Sequence, residues 1–122
     1  MRLLPPIRLR LGEPDWERYG DQWWTFDEAD LTRMPARQLV EIERELKGAL
    51  GLTILGAMAS YRAGEITGTL ALLWLARRMS GVVEPLAEFE PLVMLADAEL
   101  LDGGDADPPA STSSASPTSE EG

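Results

Sequence analysis

The segment TLALLWLARRMSG, Thr69–Gly81, decides how this chain folds. Seven apolar residues, Leu70–Ala76, run without a break and stop at Arg77 and Arg78. Strands, membrane spans and buried helices all use such runs. The strand reading fails because Arg-Arg-Met follows with no turn signal, and Ala, Leu and Met favour helix. The membrane reading fails on length. A span needs roughly 20 apolar residues, and Arg62 and Glu65 interrupt the region upstream. A helix apolar nearly all round is a buried helix. Arg77 and Arg78 then fall in its last turn, where cations complement the helix dipole. The predicted helix runs from Thr67 or Gly68 to Ser80. Leu70, Leu73, Trp74 and Arg77 share one face, and Leu72, Leu75 and Met79 another.

Upstream lie two more helical patterns. In DEADLTRMPARQLVEIERELKG, Leu39, Ile42 and Leu46 recur at three- and four-residue steps. Thr32 is a cap for this helix, and Pro35 sits in the first turn, where its missing N–H is harmless. The helix is expected over Pro35–Lys47, with Gly48 as its C-terminal cap. In ALGLTILGAMASYRAGE, Thr53 caps a shorter helix with Ile54, Leu55 and Met58 on its apolar face and Gly64 at its end. Gly56 with Ala57 or Ala59 leaves a surface small enough for close helix approach. Further back, IRLRL (Ile7–Leu11) alternates apolar and basic residues, the period of a half-buried strand. GEPD reads as a turn, and DQWWTF (Asp21–Phe26) as a second strand. A lone hairpin is marginal in water, so this one must lie on the helices, with Trp16, Trp23, Trp24 and Phe26 as anchors.

Downstream, VVEPLAEFEPLVMLADAEL is expected to form one or two short helices around Pro85 and Pro91, with Leu86, Phe89, Leu92, Val93 and Leu95 available for packing. After Leu101 the chain is rich in Ser, Pro, Asp and Gly with no large apolar residue, and is expected to be disordered. The expected fold is mainly α: a small helical bundle of three to five short helices with an N-terminal β-hairpin and a disordered acidic C-terminal tail. The expected divisions are an N-terminal extension (1–26), a helical domain (27–101) and the tail (102–122).

Charge is segregated. All eleven Lys and Arg lie at or before Arg78, balanced there by eleven acids; residues 79–122 hold ten acids and no base, which accounts for the net charge of −10. Such a tail repels nucleic acid and anionic membrane surfaces, so neither is an expected partner. No Cys and no His are present. Thiol chemistry, Cys-based zinc sites and the commonest general base are therefore excluded. DGGDAD (Asp102–Asp107) lacks the spaced acids and closing Glu of a calcium loop. Glu41, Glu43 and Glu45 alternate along one helix and do not converge. Asp27, Glu28 and Asp30 serve the dipole of the helix they precede. No phosphate-binding, nucleophile-elbow or dinucleotide fingerprint occurs. A non-enzymatic protein without cofactor or metal is expected. The first residues carry Pro5-Pro6 and no continuous apolar core, so they do not read as a secretion signal, and a cytoplasmic location is expected.

Two short partner helices offer too little cover for a third helix that is apolar on every side, and a core this small is marginal without staples. Part of that helix is therefore expected to meet another chain, a second copy or a client. Met58, Leu70, Leu73, Trp74 and Arg77 are the candidate partner-binding residues.

Three segments in order, FDEADLTRMPARQLVEIEREL (26–46), TLALLWLARRMSG (69–81) and LAEFEPLVM (86–94), resemble the tail assembly chaperones of long-tailed bacteriophages. The likeness covers about Phe26–Met94; the stretch Ala49–Glu65 departs from it by being more apolar. The resemblance implies a non-catalytic protein that coats the long helical tape measure protein, keeps it soluble and helps to recruit tail tube subunits. It also implies self-association, residence in the host cytoplasm, absence from the mature virion, and a longer product made by frameshifting near the end of the gene. The alternative is a small helical structural or adaptor protein of a phage particle, of the head–tail connector type.

Overall fold

A computed structural model describes residues 4–101. The fold is mainly helical with one small antiparallel sheet. In chain order the elements are β1 (Ile7–Arg10), α1 (Trp16–Tyr19), β2 (Trp24–Phe26), α2 (Glu28–Leu31), α3 (Ala36–Leu50), α4 (Ile54–Arg62), α5 (Ile66–Met79) and β3 (Asp97–Leu100). Short 3-10 turns occur at Glu13–Asp15, Leu86–Glu88 and Val93–Leu95. The tail 102–122, its expected disorder and the Asp102–Asp107 stretch lie outside the described residues.

The alternation in IRLR does what its period requires. Ile7 and Leu9 are buried, while Arg8 and Arg10 point to the opposite face. β1 pairs antiparallel with β2, setting Ile7 opposite Phe26 and Leu9 opposite Trp24. The link between them is no tight turn: it holds the Glu13–Asp15 turn and α1. β1 is also central, because β3 pairs along its other edge with Arg8 opposite Glu99 and Arg10 opposite Asp97. The stretch 82–100, expected to form one or two short helices, instead holds two 3-10 turns and this third strand. DAEL has little strand propensity; the free edge of β1 supplies the reason for its extended form, and Arg8 Nη2 clasps Glu99 Oε1 at 2.5 Å across it.

α5 is the pillar. Its residues Ala71–Arg77 are all buried. One side lies against α4, another against β1 and β2, and a third against α3 and the segment after Gly81. The bundle and the strands thus share one core, to which Leu9, Leu11, Trp24, Phe26, Ile42, Leu46, Leu86 and Phe89 all contribute.

The caps differ from expectation in two places. Asp27 caps α2 by accepting from the Ala29 N–H at 3.0 Å, whereas Thr32 stands at that helix's far end, donating its hydroxyl to Ala29 O. α3 runs through Gly48 and stops at Gly51, whose φ of +72° gives the left-handed cap; the Leu52 N–H reaches back to Leu46 O. Gly48 keeps helical torsions, and the helix ends only where the chain needs a positive φ. Thr53 caps α4 as expected, accepting from Gly56 N at 2.8 Å.

The close approach between α4 and α5 depends on a different glycine from the one expected. A Cβ on Gly68 of α5 would lie within 2.1 Å of Tyr61 N and 2.4 Å of Ser60 C, whereas one on Gly56 of α4 would meet only Thr53 and Leu52. Nearby, Ser60 donates to Glu65 Oε1 at 2.6 Å. Burial pushes the Tyr61 phenol up in pKa. The folded chain favours the neutral phenol, so this contribution to stability is complete below the ordinary phenol pKa and is lost as pH rises through the raised one.

Gly68→Ala should therefore force the helices apart and cost at least about 2 kcal/mol, as overpacked cores do. Gly48→Ala, in open space within a helix, should instead add about 0.5–1 kcal/mol. Denaturant midpoints of the two variants check both signs.

Candidate partner-binding surfaces

Of the five candidate contact residues, four are interior. Met58 and Trp74 are 1% exposed, Leu73 is fully buried and Arg77 is 6% exposed. Leu70 is half-buried and packed against the core. All but Leu70 are core of the folded chain, with Met58 also lining a groove between α2, α3 and α4, which corrects the expectation that α5 lacks cover. That expectation counted only helices as cover. The sheet and the irregular segment after Gly81 supply the rest.

That segment, Val82–Ala96, is fastened by side chains from all over the fold. Trp74 donates its indole N–H to Glu84 O at 2.8 Å. Glu45 of α3 accepts the Leu86 N–H at 2.5 Å, the Tyr19 hydroxyl accepts the Glu90 N–H at 3.1 Å, and Asp15 accepts the Leu92 N–H at 2.7 Å. Irregular backbone over a core leaves N–H groups that cannot stay unpaired, and here carboxylates and a phenol take them. Glu43 does the same for α4, accepting the Ile54 N–H at 2.9 Å. Two of the three α3 glutamates, Glu43 and Glu45, are thus structural.

Arg77 sits beneath this arm. Its Nη1 donates to Glu84 Oε1 at 2.5 Å. Its guanidinium lies 4.7 Å from the Phe89 ring, 5.0 Å from Tyr19 and 5.3 Å from Trp24. Tyr19 and Phe89 meet edge to face at 5.1 Å. Cation–π attraction offsets part of the desolvation of a buried charge, and the Glu84 pair offsets more. The arrangement is a structural clasp enclosed by aromatic rings.

The four expected aromatic anchors divide. Trp24 and Phe26 are buried in the core. Trp23 and Trp16 lie with the outward arginines: Arg8 stacks 4.4 Å from Trp23, and Arg10 lies 4.3 Å from Trp16. Trp16 is held there by its N–H bond to Leu11 O at 2.7 Å.

The open apolar surface lies elsewhere. A groove of about 250 Å³ separates α2, α3 and α4, lined by Leu31, Leu39, Ile54, Leu55 and Met58, with Glu28 as its charged lining residue. Leu55 is 62% exposed there. Pattern reading assigned Leu55 to the apolar face of α4; which part of that face stays open is set by where α2 and α3 stop. Further exposed apolar residues are Val83, Leu92, Met94 and Leu95 on the arm, Leu100 on β3, Val40 on α3 and Ile66 at the start of α5. Among the described residues, no three carboxylates lie close enough to hold a metal ion, and no helix is long and apolar enough to cross a membrane.

Comparison of the chain with protein-family models, with curated proteins and with solved structures returned no match.

Removing Glu84 while leaving Arg77 strands a buried charge, so Glu84→Ala should cost about 3 kcal/mol. Adding Arg77→Met in that background should recover part of the loss, since no charge is then left unpaired. Chemical denaturation of the single and double variants measures both effects; equal midpoints for Glu84→Ala and the parent chain would contradict the clasp.

Proposed function

We propose that this chain is a non-catalytic tail assembly chaperone that binds and solubilises the helical tape measure protein of a long-tailed phage. One observation carries the reading: part of the open groove is built by the segment Phe26–Leu46, one of the three that together bear the resemblance. Leu31 and Leu39 come from it, and the exposed Leu55 faces it from α4. An apolar groove between helices fits the apolar stripe of an amphipathic helix, with anchors recurring at three- and four-residue steps. A tape measure protein offers such stripes along its length. In this reading the client meets α2–α4, and α5 is the scaffold that holds those helices in place.

The tail tube protein and a second copy of the chain are the further partners of this reading, with the work done in the host cytoplasm before the virion is complete. Co-expression tests it. A tape measure fragment that is insoluble alone should become soluble with this chain and co-purify with it. Leu55→Glu should abolish that rescue without changing the melting of the chaperone, because Leu55 is already in solvent. A fragment whose solubility the chain does not change would overturn the proposal. Finding the chain in purified particles would favour the structural adaptor instead.

A further inference from the structure

We infer that the C-terminal arm carries a second docking face, built on Leu92, Met94 and Leu95, for a cationic amphipathic helix. The inference rests on the reading of this chain as a binder of helical protein, though not on the client being a tape measure.

Three large apolar side chains crowd one short turn. Leu92 and Leu95 are each 51% exposed and Met94 is 79% exposed, while Val93 between them packs on the core. Isolated exposed apolar residues are ordinary, but a cluster of them marks a contact site. The turn itself is held firmly. Asp15 takes the Leu92 N–H at 2.7 Å, and Leu95 closes so tightly over Gly12 that a Cβ there would come within 2.6 Å of the Leu95 Cβ. The three side chains are thus presented on a fixed base.

Charge selects the occupant. Between Met79 and Leu101 the chain has five acids and no base. Arg77 takes Glu84 and Arg8 takes Glu99. Glu88, Glu90 and Asp97, each within four residues of the apolar turn in the chain, are exposed, with no ion pair among the described residues. The tail after Leu101 is acidic and has no large apolar residue, so it is repelled and brings nothing to bury. A second copy placed face to face would set these acids against their own kind. A partner with cations beside its apolar residues meets neither obstacle.

Backbone geometry selects the partner's form. The N–H groups of Leu95 and Ala96 are spent on Leu92 O and Val93 O. At these positions an extended peptide finds no free N–H, and recognition of the turn itself runs through side chains. A helix satisfies its own backbone and shows apolar and cationic side chains on adjoining stripes.

The test uses the full chain and two labelled 18-residue peptides, one of Leu and Lys in an amphipathic helical pattern and one with Glu in place of each Lys. Fluorescence anisotropy should show the Lys peptide binding and the Glu peptide failing to bind. Met94→Glu, and separately Glu88→Lys with Glu90→Lys, should each weaken the Lys peptide at least tenfold with unchanged thermal melting. The acidic tail is intact in all variants, so attraction to it alone predicts no such loss. Three results would overturn the inference: equal binding of the two peptides, binding unchanged by Met94→Glu, or sedimentation showing a dimer that Met94→Glu dissolves. Loss of peptide binding only in Leu55→Glu would assign the site to the groove and leave the proposed function standing. Failure of the tape measure rescue with the arm variants behaving as stated would sink the proposed function alone.

Discussion

A helix that is apolar around its whole circumference has to be covered around its whole circumference, and the position of every other element follows from that need. α5 meets this demand with an unusual mixture of cover. α4 crosses it closely because Gly68 lets the backbones approach. The β1–β2 ribbon lays Leu9, Trp24 and Phe26 over another side. α3 and the arm after Gly81 close the remainder. No one of these elements would stand alone: the ribbon is too short, α4 has only nine residues, and the arm has almost no regular structure. Burial of one helix is the common reason that all of them are ordered.

The arm shows how irregular chain can be made to serve as core lining. Leu86 and Phe89 turn inward, yet the backbone that carries them has few main-chain partners. Asp15, Tyr19, Glu45 and Trp74 supply those partners, drawn from four separate parts of the fold. Arg77 completes the fastening by joining Glu84 to a ring of aromatic faces. A charge beneath a core lining costs desolvation free energy, but it also fixes which residue of the arm lies where. An arm held only by leucines could slip; one held by directional bonds and an ion pair has a single register.

Burying α5 redirects the functional question. The apolar surface available to a partner lies where the cover is thin: in the groove left by α2, α3 and α4, and on the outer side of the arm. The two differ in character. The groove has a single carboxylate among its lining residues; the apolar turn of the arm lies between exposed acids in the chain, Glu88 and Glu90 before it and Asp97 after it. The aromatic and arginine side chains on the outer face of the sheet are engaged with one another, and Arg8 with Glu99.

The three longer helices, α3 to α5, were legible from sequence because their signals are local, whereas the one-turn α1 and α2 were not. Apolar spacing marked α3, Thr53 marked the start of α4, and the run from Leu70 to Ala76 marked α5 as buried. Alternation in IRLR marked β1 and its inward face. What covers α5 was not legible, since cover is a matter of which surfaces meet, and a periodic pattern says only that a face is apolar. Two helices looked insufficient because the sheet and the arm could not be counted. β3 was invisible for the same reason: DAEL is extended because β1 has a free edge, which no property of those four residues announces. Glu45 and Asp15 likewise carry no local sign of their roles, which depend on the arm's N–H groups lying beside them. The sequence by itself determined that Leu70–Ala76 is a helix that cannot face water. Only the tertiary structure decided that its own chain shelters it, because burial is settled by long-range contacts whose partners lie many residues away.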